Sequence, residues 1–377
     1  MYRKTYVEID CEALENNIKE IREKYNGYKY YIGVVKANCY SHGIESIKYL
    51  IKGGINYLAT SSLEEALQIR NTYKKIPILV MEPIHYEDIL IASEKNITIT
   101  IDNIEQFKKI IKNKNNIKFH IKIDSGMNRF GLKNKEDVKY IVNKSNNKVQ
   151  LEGIFTHLSV GFGKEFDREV SNFKDLTSLI NLESIPIVHI ERSLTLEQHE
   201  RLPIGNSIRL GILMYGFNKQ AYIPSWKRRL FNKLTLKNNT DEPSILNVST
   251  AFKFYSEIIE IKEVLPGEII GYNGMYDVKE KMRIAILPFG FADYLYVNKS
   301  YISINNKLYK ILTNYMDITV IEVDENVKVG NKVEIFGNNI SIRKASTWAN
   351  QNVYKTLCSI TYRVPRIYKY NNKEIED

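Results

Sequence analysis

The sequence predicts an α/β protein in which an N-terminal (β/α)8 TIM-like barrel is followed by a smaller, mostly β C-terminal domain. Eight apolar runs alternate with amphipathic stretches up to about residue 235. Beyond that point the pattern changes to short β-prone runs with little helix between them. The length of 377 residues also exceeds that of a usual single domain, so we expect two domains, at residues 1–235 and 236–377.

The barrel prediction rests on the order of helices and strands. A first helix is predicted after Asp10, whose carboxylate can cap it, because Leu14 and Ile18 recur at helical spacing. Another is predicted after Ser61 or Ser62, either of which can act as its cap. The predicted strands are Tyr30–Val35, Ile55–Thr60, Ile76–Met81, Ile97–Ile101, Phe119–Ile123, Leu151–Phe155, Ile185–Ile190 and Ser207–Met214. Eight strands with helices between them favour a closed parallel barrel.

The second domain is predicted from a change in composition. Residues 236–243 are polar and rich in residues that break helices and strands, which indicates a linker or an exposed loop. The β-prone runs that follow are Phe254–Val264, Met282–Leu287, Lys307–Thr313, Ile318–Val323 and Lys332–Ile335. A helix is predicted only at Ala345–Asn352. The C-terminal part is therefore expected to be mostly β.

The composition argues against membrane and metal-binding classes. No apolar stretch is long enough to span a membrane, and the N-terminus has no signal-peptide core. The three cysteines, Cys11, Cys39 and Cys358, have neither metal-site nor disulfide spacing. We therefore expect a cytoplasmic protein without a metal site.

The formal charge of +10 raises the question of nucleic-acid binding. The lysines are scattered along the chain, and the densest basic cluster, at residues 226–229, lies in no recognition motif. We expect a small-molecule substrate and no nucleic-acid partner.

Lys36 is the most informative candidate for chemistry. It directly follows an apolar run predicted as a strand, where desolvation can lower the pKa of its amine and allow it to form a Schiff base. A lysine that only extends its charge into solvent at a strand end is the simpler alternative.

Further polar residues follow the later barrel strands. Arg129, His157 and Ser193 come after the fifth, sixth and seventh runs, and Arg209 lies within the eighth. In a barrel the carboxyl ends of the strands meet at one mouth, where active sites lie. These side chains and Lys36 are therefore predicted to converge.

The motif Val35-Lys36-Ala37-Asn38, with Tyr40 and His42-Gly43 after it, resembles the cofactor-lysine signature of the pyridoxal-phosphate-dependent alanine racemases. Further motifs resembling that family follow in order at residues 122–131, 153–157, 209–216, 271–272, 288–293, 316–317 and 362–366. The resemblance thus runs nearly from end to end. It implies a barrel plus a β domain, a pyridoxal 5'-phosphate cofactor, and an isomerase that interconverts L- and D-alanine for peptidoglycan precursors.

The resemblance assigns two bases. Lys36 holds the cofactor and serves as one base, and Tyr272 is the opposing base, supplied by the partner subunit of a homodimer with shared active sites. Two bases are needed because one face of the planar carbon loses a proton while the other gains one. The usual tyrosine pKa of about 10 lies well above neutral pH, so His157 is expected to adjust the pKa of Tyr272.

The resemblance also identifies Arg209 as the partner of the pyridine nitrogen. An arginine donates a hydrogen bond there but does not protonate the ring. The ring is then a weaker electron sink, which disfavours side reactions such as transamination. Decarboxylases of a related barrel fold use an acidic partner, so Arg209 argues against that class.

The substrate carboxylate is expected at Arg129, which also contacts the cofactor's phenolic oxygen, and at the Met316 amide. Lys122 matches a lysine that is carboxylated in many family members and orients that arginine. An unmodified lysine or a bound anion remains the alternative.

The cofactor phosphate is expected at the hydroxyls of Tyr40, Ser193 and Tyr362 and at the amides of Gly211 and Ile212. Gly211 lets the backbone approach the anion closely, and successive amides form an anion-binding nest.

The chain departs from the family pattern at several positions. The family usually has Asn-Ser where this chain has Arg192-Ser193, and proline where it has Leu210. The other departures are Phe291 for tyrosine, Tyr294 for glycine, Thr313 for arginine and Tyr315 for cysteine. None is a predicted base, but the hydroxyl missing at Phe291 bears on substrate access.

Two alternatives to an alanine racemase remain open. A serine or broad-specificity amino-acid racemase is the nearer one, although serine-preferring relatives tend to have a smaller residue than Tyr362. A non-catalytic cofactor-binding protein is the other, and Tyr272, Met316 and Tyr362 in the second domain argue against it.

Overall fold

The computed structural model describes residues 2–112, 115–198, 201–218, 244–294 and 300–375. The predicted linker at 236–243, the basic cluster at 226–229 and the predicted domain boundary at residue 235 lie outside these residues. Two sheets organise the described chain: an eight-stranded parallel sheet and a ten-stranded sheet that is mostly antiparallel.

The chain begins with a strand that was not predicted. β1 (Tyr6–Asp10) pairs antiparallel with Phe252–Glu257 and parallel with Arg366–Tyr370, so it belongs to the ten-stranded sheet. Its burial alternates, with Val7 and Ile9 in the core. This period of two is the strand signal that the sequence carried.

The barrel is built from eight parallel strands. They are β2 Tyr30–Val34, β3 Tyr57–Thr60, β4 Ile78–Val80, β5 Ile99–Ile101, β6 Ile117–Lys122, β7 Val149–Phe155, β8 Ile187–Arg192 and β9 Ser207–Leu210. Their order is β4-β3-β2-β9-β8-β7-β6-β5, and a bridge between Leu79 and Thr98 joins the two edges. Each predicted run overlaps one of these strands, which confirms the barrel. The eighth run is shorter than predicted, because the chain leaves the sheet at Gly211 and forms a 3₁₀ turn over Ile212–Tyr215.

Helices connect the barrel strands. They are α1 Cys11–Lys24, α2 Ile47–Gly53, α3 Leu63–Thr72, α4 Ile89–Glu94, α5 Ile104–Ile110, α6 Lys135–Lys144, α7 Gly163–Leu176 and α8 Ser193–Leu196. The Asp10 carboxylate accepts the Ala13 N–H at 2.9 Å, which confirms the predicted cap of α1. Ser62, not Ser61, caps α3, and Glu65 completes a capping box.

The second domain is mostly β, as predicted. Its strands are β10 Phe252–Glu257, β11 Glu260–Val264, β12 Ile269–Ile270, β13 Tyr276–Asp277, β14 Met282–Leu287, β15 Tyr301–Ile304, β16 Lys307–Asn314, β17 Thr319–Glu322, β18 Lys332–Phe336, β19 Arg366–Tyr370 and β20 Lys373–Glu374. The ten-stranded sheet contains these strands and β1, except that β12 and β13 pair separately.

Two predictions in this domain need correction. The run at Phe254–Val264 is two strands, because β10 and β11 pair with different neighbours on either side of residues 258–259. The predicted helix at Ala345–Asn352 is α9 (Ile342–Trp348), capped by Ser341. A further helix, α10 (Val353–Cys358), was not predicted and is capped by Asn352. Within the described ranges, no helix has the length and apolar character needed to cross a membrane.

Candidate active site

A cavity of about 950 Å³ lies at the carboxyl ends of the barrel strands, with α9 and α10 forming another part of its wall. It brings together nine of the predicted site residues: Lys36, Tyr40, Lys122, Arg129, His157, Ser193, Arg209, Gly211 and Ile212. The convergence expected from a barrel is therefore present in one chain.

Lys36 lies at the start of a left-handed turn. Residues 37–41 have φ between 51° and 67°, a conformation that costs L-residues roughly 1–2 kcal/mol each. Neighbouring contacts must stabilise this turn. The Glu65 carboxylate accepts the Ala37 N–H at 2.6 Å and, through its other oxygen, the Ser61 N–H at 3.0 Å. Glu65 thereby ties the turn to the start of α3, and Lys36 and Tyr40 line the cavity.

A small concavity lies where β9 ends. A Cβ placed on Gly211 would lie 3.1 Å from the Tyr40 hydroxyl and 3.9 Å from the Ser193 hydroxyl. The Ser193 hydroxyl accepts the Gly211 N–H at 2.8 Å, and Ile212 follows in the 3₁₀ turn. Two hydroxyls and a closely approaching backbone therefore frame a space suited to an anion.

Arg209 is buried on β9. Its guanidinium donates to the Thr156 carbonyl at 2.7 Å, to the Ile190 carbonyl at 3.2 Å and to His189 Nδ1 at 2.8 Å. Burial, together with the charges of Arg192 and Arg129, lowers the pKa of Arg209 to about 9. That pKa is still above neutral pH, so the group remains a charged donor.

Behind Arg209, a polar chain crosses the barrel interior. His189 Nε2 lies 2.8 Å from His120 Nδ1, and His120 Nε2 faces a Glu152 carboxylate oxygen at 3.4 Å. The same oxygen accepts the Tyr57 hydroxyl at 2.6 Å. These residues, of which Glu152 is half-buried and the other three are buried, were not predicted, because the chain gives no local signal that joins residues on β3, β6, β7 and β8.

Lys122 ends β6 and is buried, with its amine 4.4 Å from the centre of the Phe155 ring. Burial, followed by the charges of Arg209 and Arg129, holds the pKa of the Lys122 amine well below its usual range, although Asp124 opposes this. The environment favours an uncharged amine.

His157 also stays uncharged. Burial and the positive charges of Arg209 and Arg192 hold the pKa of this imidazole well below its usual range. Its ring lines the cavity beside Lys122 and Arg129.

Three predicted residues lie outside the cavity. Tyr272, Met316 and Tyr362 are 73%, 56% and 93% exposed. The Tyr272 ring meets Tyr315 edge-on at 5.3 Å, and the Phe291 N–H donates to the Tyr315 carbonyl. Tyr272, Phe291, Tyr315 and Met316 therefore form a connected surface on the second domain, which we call the exposed tyrosine surface. Tyr362 is not counted in this surface.

Among the cavity residues that were not predicted are two from α10, Tyr354 and Cys358. The Tyr354 ring lies 6.0 Å from the Tyr40 ring, and Cys358 lines the cavity one helical turn further on. Burial raises the pKa of the Cys358 thiol, while the Lys36 charge acts in the opposite direction. Both side chains belong to α10, which contacts the barrel only through tertiary packing, so sequence pattern alone did not place them.

Known proteins match this chain over its whole length. The family profile described as alanine racemase, N-terminal domain, matches residues 9–219, and that of the C-terminal domain matches residues 251–368. Alanine racemase 1 of Bacillus subtilis is 29% identical over 392 residues, covering 100% of this chain and 95% of the relative. An alanine racemase of Borreliella burgdorferi is 31% identical over 367 residues, covering 93% and 94%.

Solved structures agree in fold. The alanine racemase of Bacillus anthracis with bound L-Ala-P has a TM-score of 0.88 at 28% identity, covering 100% of this chain and 97% of the other. A histidine racemase of Leuconostoc mesenteroides has a TM-score of 0.84 at 21% identity, covering 98% of each chain, and shows similarity of fold alone.

Proposed function

This chain belongs to the alanine racemase family, and we propose that it interconverts L-alanine and D-alanine with pyridoxal 5'-phosphate as its cofactor. One observation carries the proposal: Lys36, Arg209 and the concavity at Gly211 face a single cavity at the mouth of the barrel. An amine, a buried charged donor and an anion-binding space fit the aldehyde, the ring nitrogen and the phosphate of this cofactor.

The residues around the cavity fit the cofactor. The concavity between Gly211, Tyr40 and Ser193 accommodates a phosphate group, which the Ile212 amide would also contact. The Lys36 amine would hold the cofactor covalently. When bound, the cofactor withdraws electrons from the substrate Cα and makes its proton more acidic.

Arg209 would contact the ring nitrogen of the cofactor. Its guanidinium is fixed by hydrogen bonds to His189, Thr156 and Ile190, so the direction of its donors is set before a ligand binds. Because it remains charged, it donates a hydrogen bond and keeps its proton. This arrangement supports racemisation over decarboxylation, for which an acidic residue would be expected.

Proton transfer needs one group on each face of the substrate Cα. We assign Lys36 Nζ to one face and the Tyr272 hydroxyl to the other. His157, held uncharged, is the neighbour that would accept a hydrogen bond from this hydroxyl.

Tyr272 reaches a cavity only through a second subunit. It lies on the exposed tyrosine surface and not in the cavity of its own chain. We therefore propose a homodimer in which the barrel domain, residues 1–235, binds the cofactor and the β domain, residues 236–377, completes the partner's site. Tyr362 would join the phosphate contacts in that assembly.

Arg129 and the Met316 amide would bind the substrate carboxylate. We further propose that Lys122 is carboxylated: its uncharged amine attacks carbon dioxide, a C–N bond forms, and the amine proton leaves to solvent. The resulting anion would offset the charges of Arg209 and Arg129. A ¹³C carbamate resonance in protein equilibrated with labelled bicarbonate, absent from Lys122→Ala, would support this modification.

We also propose a cytoplasmic location and a role in supplying D-alanine for peptidoglycan precursors, as is typical of the family. Cys11, Cys39 and Cys358 are free, which is consistent with a reducing compartment.

The activity is tested by chiral chromatography of purified protein loaded with cofactor and given L-alanine and L-serine at equal concentration. We expect rapid formation of D-alanine with little D-serine, since one small group changes binding by roughly 1–3 kcal/mol. Lys36→Ala should form neither product. Dominant D-serine would indicate a serine or broad-specificity racemase. Cofactor attachment without either product would indicate a non-catalytic binding protein and overturn the proposal.

A further inference from the structure

We propose that Arg192 binds the cofactor phosphate as a charged anchor, at a position where the family usually has an uncharged asparagine. This inference rests on the proposed cofactor and adds a residue to its binding site. Arg192 is the last residue of β8 and immediately precedes Ser193, and both side chains line the cavity.

The guanidinium of Arg192 is held against the cavity wall. Nε donates to the Leu158 carbonyl at 2.8 Å, and Nη2 donates to the Ser159 carbonyl at 3.1 Å. Across the described ranges, no acceptor is recorded for Nη1. The side chain is therefore oriented by two neutral carbonyls, and one nitrogen remains available for a ligand.

Among the described residues, the side-chain acceptors of Arg192 are the two carbonyls of Leu158 and Ser159, and neither of them is a carboxylate. The charge of Glu169 acts on the pKa of Arg192. The Glu169 oxygens, however, accept the N–H and the hydroxyl of Ser159 at 2.8 and 2.5 Å. Arg192 is half-buried, so a cation there is less well hydrated than one at the surface, and a bound anion would stabilise it.

The whole cavity has an excess of positive charge. Its described lining contains six lysine or arginine residues, of which Lys122 favours the uncharged form, and one acidic residue, Glu82. Arg209 and Arg129 already have assigned partners in the ring nitrogen and the substrate carboxylate. Arg192 adjoins Ser193 in the chain, and its charge acts on Tyr40, whose hydroxyl frames the concavity at Gly211. The phosphate is therefore the anion that Arg192 is placed to bind.

The test compares two forms of the cofactor that differ only in phosphate. Apo-protein, as wild type, Arg192→Asn and Arg192→Lys, is titrated with pyridoxal 5'-phosphate and with pyridoxal, following the absorbance change on attachment to Lys36. We expect Arg192→Asn to reduce the affinity for pyridoxal 5'-phosphate about 10- to 100-fold, which is the value of a charge-assisted hydrogen bond. The affinity for pyridoxal should fall less than about twofold. The affinity of Arg192→Lys for pyridoxal 5'-phosphate should lie between those of wild type and Arg192→Asn.

Arg343→Asn is the matched control, because Arg343 lines the same cavity from α9. It should leave both affinities near the wild-type values. An equal loss in Arg343→Asn would assign the effect to the general charge of the cavity and overturn the proposal. Equal weakening of both cofactor forms by Arg192→Asn, or no weakening, would also overturn it.

If wild-type protein attaches neither form at Lys36, the proposed function fails, but the role of Arg192 is still measurable. Calorimetric titration of wild type and Arg192→Asn with inorganic phosphate then tests whether Arg192 binds a phosphate group. Weaker phosphate binding by Arg192→Asn than by wild type supports the phosphate anchor, and equal binding rejects it.

Discussion

Arg209 Nη1 donates to both the Nδ1 atom and the main-chain carbonyl of His189. Because a guanidinium only donates, Nδ1 of His189 must accept, and its proton lies on Nε2. Burial, with the charge of Arg209, holds the pKa of His189 well below its usual range, so the ring is neutral. The proton on Nε2 is then donated to Nδ1 of His120, whose Nε2 faces Glu152. The chain of donors therefore runs in one direction, from Arg209 to a carboxylate.

His189 is a positioning residue for Arg209, and its removal should affect catalysis. In His189→Leu, we expect the free energy of unfolding to fall by about 1–3 kcal/mol, because a buried donor loses its acceptor. kcat should also fall, since Arg209 keeps its main-chain acceptors but loses the side-chain acceptor that helps to fix its direction. His120→Leu should reduce stability similarly but reduce kcat less, because its contact with Arg209 is indirect. Urea denaturation and steady-state kinetics measure both, and wild-type kcat in His189→Leu would contradict this role.

Glu152 should make stability depend on pH in the acid range. Burial alone would raise the pKa of Glu152, but the contacts with His120, Tyr57 and Thr98 outweigh it and lower the pKa from 4.5 to about 2. Since the folded pKa lies below the unfolded one, the stabilisation is fully present above about pH 4.5 and is lost as pH falls toward 2. The shift corresponds to a contribution on the order of 3 kcal/mol.

The measurement is the difference in free energy of unfolding between wild type and Glu152→Gln, followed from pH 6 downward. This difference should shrink as the wild-type carboxylate becomes protonated. A difference that stays constant through the acid range would show that the charge of Glu152 does not stabilise the fold.

The sequence predicted the parts of the site that carry local signals. Lys36 and Arg209 adjoin or occupy buried strands, and a barrel brings the ends of such strands together. The left-handed turn after Lys36 was not predicted, because Asn38 alone of its five residues readily adopts that conformation and tertiary contacts such as Glu65 must stabilise the others. The pairing of His120 with His189 was missed for a similar reason, since 69 residues separate them.

Glu65 should control how well Lys36 is presented to the cofactor. In Glu65→Gln one amide oxygen cannot replace two carboxylate oxygens that accept from Ala37 and Ser61, so we expect weaker cofactor attachment and a lower kcat. Glu64→Gln is the matched control, because it removes the same charge from an exposed neighbour in the first turn of α3. Titration with the cofactor measures the effect. Equal behaviour of the two variants would exclude a specific role for Glu65.

The proposed sharing of active sites between subunits predicts complementation between inactive variants. Lys36→Ala lacks one proposed base and Tyr272→Phe lacks the other, so each homodimer should have greatly reduced activity. When the two are unfolded together and refolded, half of the dimers are mixed, and each mixed dimer has one site with both residues intact. Activity should therefore recover to about a quarter of the wild-type value. Recovery requires that Tyr272 act in the partner's cavity, which is consistent with its exposure on its own subunit. Without recovery, although size-exclusion chromatography and mass spectrometry show mixed dimers, the two bases cannot come from different subunits.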